Sequence, residues 1–203
     1  MSLFKFKHFS VDQTGCAMKI GTDSLVFGAW IDLDFVPKRI LDVGTGTGVL
    51  SLMMAQKFPE AEIVSLEIDE EAVHTANLNF QHNQLGKNCT ALHQDFLTYE
   101  DAKSFDLIIS NPPYFENSTK SGLKNRDLAR HTDDLPLSEL FHKSITLLSE
   151  DGCLGLILPQ ETMAKSLIEN TDLNIIKRLD VHGKEGQHNR TCALFSKGKA
   201  DVE

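Results

Sequence analysis

Arg39-Ile40-Leu41-Asp42-Val43-Gly44-Thr45-Gly46-Thr47-Gly48 is the stretch that decides the fold. Arg39 to Val43 reads as a buried strand, and three glycines at alternate positions then turn the chain tightly. A helix from Gly48 to Phe58 follows, and Glu62 to Leu66 reads as a second strand. The alternation continues outward from this unit. Asp69 caps a helix reaching about Asn83, with Glu70 and Glu71 placed well for its dipole. Cys89 to His93 and Phe105 to Ser110 make two more strands. Leu137, Leu140, Phe141, Ile145 and Leu148 form the apolar face of a helix from Leu137 to Leu148. A strand from Cys153 to Leu158, a helix from Gln160 to Asn170 and two strands, Leu173 to Val181 and Thr191 to Ser196, complete the pattern. Strand–helix alternation predicts an α/β, doubly wound, mostly parallel seven-stranded sheet, with a final hairpin that adds one antiparallel strand. Ligands bind such sheets at the C-terminal strand ends.

Ahead of this core, residues 4–20 read as a β-hairpin with its turn near Asp12-Gln13-Thr14-Gly15. Gly21-Thr22-Asp23-Ser24 offers helix-capping chemistry ahead of Leu25 to Trp30. This hairpin and helix extension, residues 1–38, is expected over the mouth of a core spanning 39–203, the whole 1–203 forming one domain.

An apolar content of 41% against 24% charged residues is that of a soluble globular protein. The apolar runs are short, and Lys5, Lys7 and His8 interrupt the phenylalanines at the start, so neither a membrane span nor a signal peptide is expected and the location is cytoplasmic. Cys16, Cys89, Cys153 and Cys192 lie far apart, which argues for free thiols and against a zinc site. The net charge of −9 argues against non-specific nucleic-acid binding. It is unevenly spread, however. Lys120, Lys124, Arg126 and Arg130 cluster with only Asp127, and Lys177, Arg178, Lys184, Arg190, Lys197 and Lys199 with only Asp180 and Glu185. Two local basic surfaces on an acidic body suit a structured polyanion bound in one pose, although solvated charge is the plainer reading.

Two motifs carry chemistry. Gly44, Gly46 and Gly48 admit a ligand close to the backbone, and Glu67, ending the next strand 23 positions after Gly44, suits the two hydroxyls of an adenosine ribose. Asp95-Phe96, after the third strand, is placed for a cofactor adenine, or is simply a turn. The more specific element is Asn111-Pro112-Pro113-Tyr114, directly after Phe105 to Ser110. Two prolines hold Asn111 and the Pro112 carbonyl rigidly at a strand end. A side-chain oxygen beside a backbone carbonyl makes two acceptors suited to an –NH2 group, and Tyr114 adds a face for a planar group. His131, beside Arg130, is a candidate substrate contact or a surface pair.

On these residues the chain resembles the class I S-adenosylmethionine-dependent amino-methyltransferases, which are Rossmann-like. Its N-terminal stretch from Phe9 to Trp30, with Gln13-Thr14-Gly15-Cys16-Ala17-Met18-Lys19 and Gly21-Thr22-Asp23, is similar to the branch that methylates N6 of adenine 37 in tRNA1(Val). The resemblance implies S-adenosylmethionine as cofactor. Asp42, Gly44, Thr45, Gly46 and Gly48 would hold its methionine part, Glu67 its ribose, and Asp95 with Phe96 its adenine, with Ile68 and Asn111 also against the cofactor. It implies that Asn111 and Pro112 grip the target amino group beside the methyl, and that Tyr114 stacks on the base. Pro113, Phe115, Lys124, Arg126, Arg130 and His131 would contact a tRNA anticodon stem-loop. A monomer without metal is implied. Methylation of a protein glutamine amide and a non-catalytic binding module stay open beside it. A nicotinamide-dependent dehydrogenase would leave Asn111 to Tyr114 unexplained.

Overall fold

The computed structural model describes residues 3–112, 135–169, 172–183 and 189–197. A seven-stranded sheet forms its middle layer. In chain order the sheet strands are β3 (Arg39–Val43), β4 (Glu62–Glu67), β5 (Cys89–His93), β6 (Phe105–Ser110), β7 (Leu148–Pro159), β8 (Asn174–Val181) and β9 (Arg190–Ser196). They lie in the order β5-β4-β3-β6-β7-β9-β8, with β9 antiparallel to both its neighbours. The order reverses on either side of β3, between β4 and β6. The glycine turn and Asn111 both follow strands at this switch point.

Side chains alternate between two apolar layers. Ile40, Leu107, Ile109, Ile157 and Leu194 join one cluster, with Phe27, Leu52 and Phe80. Leu41, Val43, Ile108, Leu154 and Phe195 join the other, with Leu140, Phe141 and Met163. Helices α1 (Thr22–Trp30), α2 (Val49–Lys57) and α3 (Glu70–His82) therefore cover one face, and α4 (Leu137–Leu147) with α5 (Gln160–Glu169) the other. Each fully buried Ile or Leu of the central strands contributes about 1.5–3 kcal/mol. All four cysteines are free and buried. No helix among the described residues is long and apolar enough to cross a membrane.

The N-terminal hairpin is present, but its turn is elsewhere. β1 (Leu3–Lys5) pairs with β2 (Ser10–Asp12), and the chain reverses through Phe6 to Phe9, where Phe6 N–H donates to the Phe9 carbonyl. Asp12 to Thr14 is a local side-chain turn after β2: the Asp12 carboxylate accepts from the amide and the hydroxyl of Thr14. The segment that follows is tied to α3 and the glycine turn. Asn79, buried, accepts from Asp12 N–H and donates to the carbonyls of Asp12 and Thr47, while Thr75 donates to the Thr14 carbonyl. The extension thus runs along the edge of the glycine turn as a bonded wall.

Candidate active site

Parallel pairing sets Val43, Leu66 and Ser110 level at one edge of the sheet, so whatever follows them converges. The Ser110 hydroxyl donates to the Val43 carbonyl at 2.8 Å and draws the ends of β6 and β3 together. Gly44 and Thr45 both donate their amides to the Leu66 carbonyl, closing the turn against β4.

Gly44, Gly46 and Gly48 all have positive φ, at +73°, +53° and +78°. A Cβ on Gly48 would lie 2.6 Å from the Phe80 ring, so that glycine serves packing. At Gly44 and Gly46 a Cβ would meet nothing within 4 Å. These two form an open cradle. Beneath it lies Asp42, fully buried on β3. Its Oδ2 accepts from the hydroxyls of Thr45 and Ser51, both at 2.7 Å, and Ser51 is bonded in turn to Ser65. Its Oδ1 has no protein partner. Burial pushes the carboxyl up to about 6, against the two hydroxyl bonds that lower it. A buried carboxylate oxygen without a partner, beside a glycine cradle, is matched by a ligand cation or donor.

Glu67 ends β4 with its carboxylate between two loops. Oε2 accepts from Gly46 N–H, and Oε1 from the amides of Ile68 and Asp69. Ile68 is 46% exposed, an apolar side chain left outside the core. Asp95 Oδ1 accepts from Leu97 N–H. Phe96 is 4% exposed and packs with Leu41, Val64 and Phe105. It backs the site from within the core, so an open ring face for stacking is not what it presents.

Asn111 follows β6 directly, with Pro112 buried behind it. Its Nδ2 donates to the Ser24 hydroxyl of α1 at 2.8 Å. That bond turns the nitrogen end of the carboxamide toward α1. Ser24 was legible only as capping chemistry, and α1 in fact starts at an N-cap, Gly21, that makes no side-chain cap bond. Asp23, the other presumed capping residue, instead binds Arg190 Nε of β9 at 2.7 Å. Nothing in the local sequence signals either partner.

The remaining expected contacts, Pro113, Tyr114, Phe115, Lys124, Arg126, Arg130 and His131, lie outside the described residues. The second basic segment is reached in part, and its charge is engaged internally. Lys177 pairs with Asp32, Arg178 with Asp180 and Arg190 with Asp23, while Lys197 donates to the Leu148 carbonyl. A spacing that would serve the dehydrogenase alternative, Tyr99-Glu100-Asp101-Ala102-Lys103, is present but sits at the opposite edge of the sheet. There the Tyr99 hydroxyl binds Asp101, which pairs with Arg39 at the start of β3.

The profile of the methyltransferase small domain family matches residues 19–175. A tRNA1(Val) (adenine(37)-N6)-methyltransferase of Christiangramia forsetii is 45% identical over 168 residues, 81% of this chain and 70% of the relative. One of Flavobacterium psychrophilum is 38% identical over 206 residues, 99% of this chain and 88% of the relative. The chain belongs to this methyltransferase family. Among solved structures, the tRNA m1G37 methyltransferase of M. jannaschii superposes with a TM-score of 0.66 over 97% of this chain and 56% of that one, at 14% identity, which shows the fold.

A methyltransferase of this family uses S-adenosylmethionine, and that is the cofactor here. The residues fit it. The cradle at Gly44 and Gly46, the unpartnered Asp42 Oδ1, the Glu67 carboxylate and exposed Ile68 offer space, an anion for an ammonium group, acceptors for hydroxyls and an apolar surface.

Proposed function

We propose that this methyltransferase modifies the N6 amino group of adenine 37 in tRNA1(Val). The observation that carries the reading is the Asn111 carboxamide, bonded through its nitrogen to Ser24, at the same sheet edge as the glycine cradle. The relatives' names supply the nucleotide and the tRNA.

When bound, S-adenosylmethionine supplies an electrophilic methyl group on a sulfonium. In this reading Asp42 and the glycine turn from Gly44 to Gly48 would hold its amino-acid end, Glu67 its ribose and Ile68 its adenine face, with Asp95 at the adenine edge. Asn111 Oδ1 and the Pro112 carbonyl accept hydrogen bonds from the two N–H groups of the target –NH2. Two such bonds draw the nitrogen lone pair out of conjugation with the ring and aim it along the line of transfer. Tyr114 stacks on the base, which an anticodon loop can splay out because its bases are only partly stacked. Rate enhancement comes from positioning and from excluding water rather than from a covalent step on the protein.

The same reading takes 1–203 as one domain, the bonds from Asn79 and Ser24 joining the extension to the core. It takes the enzyme as a cytoplasmic monomer that binds the anticodon stem-loop. Lys124, Arg126 and Arg130 are its preferred phosphate contacts, since Lys177, Arg178 and Arg190 have intramolecular partners. Reversing the first three charges should weaken tRNA binding and flatten its salt dependence.

The test is incubation with labelled S-adenosylmethionine and tRNA from cells lacking the activity, followed by nuclease mapping. Label as N6-methyladenosine at one anticodon-loop position supports the proposal. Label confined to a protein fraction would transfer the enzyme to glutamine amides, and label in neither would overturn the acceptor assignment.

A further inference from the structure

We infer that Asn79 is a positioning residue for the cofactor-binding turn, and that through it docking of the N-terminal strand and binding of the cofactor are coupled. This rests on the reading of Gly44 to Gly48 as the cofactor's seat, and adds to it what braces that seat.

Two periods match along α3. Thr75, Asn79 and Asn83 recur every four residues of the helix, and their side chains bond Thr14, Asp12 and Ser10, which recur every two along the extension. Four helical residues advance about 6 Å and two strand residues about 6.6 Å, so the rows stay in register over three rungs. An asparagine side chain carries an acceptor and a donor, as a peptide unit does. Asn83 accepts from the Ser10 amide at 3.1 Å and donates to the Ser10 carbonyl at 2.9 Å, and Asn79 does the same for Asp12 at 2.8 and 2.9 Å. The sense of each bond is fixed, because a backbone N–H only donates and a backbone carbonyl only accepts. α3 thus stands in for a third strand beside β2. Where the ladder ends, Gly15 turns the chain with a φ of +80°, and a Cβ there would lie 3.1 Å from the Thr75 hydroxyl oxygen.

The middle rung does something the others do not. The second Nδ2 proton of Asn79 goes to the Thr47 carbonyl at 2.9 Å, whereas that of Asn83 goes to the Asn79 carbonyl within α3. Asn79 is 2% exposed and Thr47 4%, so water does not compete for the bond to the turn. Thr47 lies between Gly46 and Gly48, both with positive φ, in a segment whose glycines restrain the backbone least. The helix that braces it is a firm reference, since Asn77 bonds both main-chain groups of Ala91 in β5. One carboxamide therefore holds the strand on one side and the turn on the other. Whatever fixes Thr47 keeps that carboxamide aligned for Asp12, and release of Asp12 frees it to rotate away from Thr47. By linkage the two effects are equal in size.

The experiment compares Asn79→Ala with Asn83→Ala, each below its own thermal transition, by titration calorimetry with S-adenosylmethionine and by amide hydrogen exchange. Asn79→Ala should bind the cofactor about tenfold more weakly, within the usual range of a coupling between sites. Asn83→Ala breaks a rung but not the tie to the turn, and should stay within about twofold of wild type. The Gly48 amide, bonded to the Thr45 carbonyl, should exchange about tenfold faster in Asn79→Ala and no faster in Asn83→Ala. The Ser10 amide is the remote reporter, because its own acceptor is Asn83. Saturating cofactor should slow Ser10 exchange in the wild-type protein by about the same tenfold, and should leave it unchanged in Asn79→Ala. Equal affinities in the two variants would overturn the inference. So would a wild-type Ser10 amide indifferent to a cofactor that slows Gly48, a result that leaves the seat itself intact. Cofactor that binds without slowing exchange at Gly46 or Gly48 would sink the reading of the turn as its seat, and the coupling with it.

Discussion

Gly46→Ala and Gly48→Ala separate two reasons for glycine within one turn. Both positions have positive φ, so alanine at either costs about 1–2 kcal/mol of left-handed strain. Their surroundings differ. A Cβ on Gly48 would lie 2.6 Å from Phe80 Cε1, 2.9 Å from Cζ and 3.4 Å from Ala76 Cβ, whereas one on Gly46 meets nothing within 4 Å. Phe80 is 3% exposed, so its ring cannot swing into solvent, and overpacking of this kind adds about 1–3 kcal/mol. Gly48→Ala should therefore lose about 2–5 kcal/mol and Gly46→Ala about 1–2. In a chain of this length each kcal/mol moves Tm by about 2–4 °C, giving drops of roughly 4–20 °C and 2–8 °C. Cofactor binding should run the other way. The methyl of Gly46→Ala projects into the cradle and should weaken S-adenosylmethionine binding at least about tenfold, equivalent to about 1.4 kcal/mol. Gly48→Ala, assayed below its own transition, should keep most of its affinity. Thermal unfolding and titration calorimetry on the two variants decide the matter. Wild-type affinity in Gly46→Ala, or equal Tm losses in the two, would refute the division into cradle and packing glycines.

Asp42 carries a carboxyl raised to about 6 from an ordinary 3.8, so the folded protein holds that proton more tightly than the unfolded chain does. Its contribution therefore favours folding as pH drops from about 6 towards 3.8 and costs most above 6. Asp42→Asn should gain on wild type by a few degrees at pH 8, lose that advantage by pH 4, and bind the cofactor about tenfold or more weakly; a difference in Tm independent of pH would contradict the burial argument. Asn79→Ala removes the bonds to Asp12 and Thr47 and strands buried groups at roughly 2–4 kcal/mol. Its Tm should fall by about 5–15 °C and proteolysis within residues 13–20 should quicken; unchanged cleavage would show that Asn79 does not hold the wall.

The sheet was legible because its central strands are apolar on both faces, so Arg39 to Val43 and Phe105 to Ser110 announce themselves without any partner. β7 was read too short because Ser149-Glu150-Asp151 has no apolar run, yet it pairs at the edge, where Phe105 meets Leu148. The hairpin turn was misplaced because Asp12 and Thr14 form a side-chain turn that mimics one. Glycine spacing revealed the cradle, but not that Gly48 faces Phe80 while Gly46 faces open space. Charge counting marked residues 177–199 as basic and could not show Asp32, Asp23 and Asp180 answering them from other elements. Ser24 escaped notice for the same reason: its partner, Asn111, is remote in sequence and adjacent only in the fold.

Asn111 as an acceptor for an amino group is the claim on which the chemistry turns. The measurement is the single-turnover rate of N6-methyladenosine formation on unmodified tRNA1(Val) by Asn111→Ala, with cofactor binding measured on the same preparation. Loss of one oriented hydrogen-bonding group at a reacting centre predicts a fall of at least about 100-fold, with S-adenosylmethionine affinity kept within about threefold. A rate within about tenfold of wild type at full cofactor occupancy would contradict the assignment, because positioning of that kind is worth more than that.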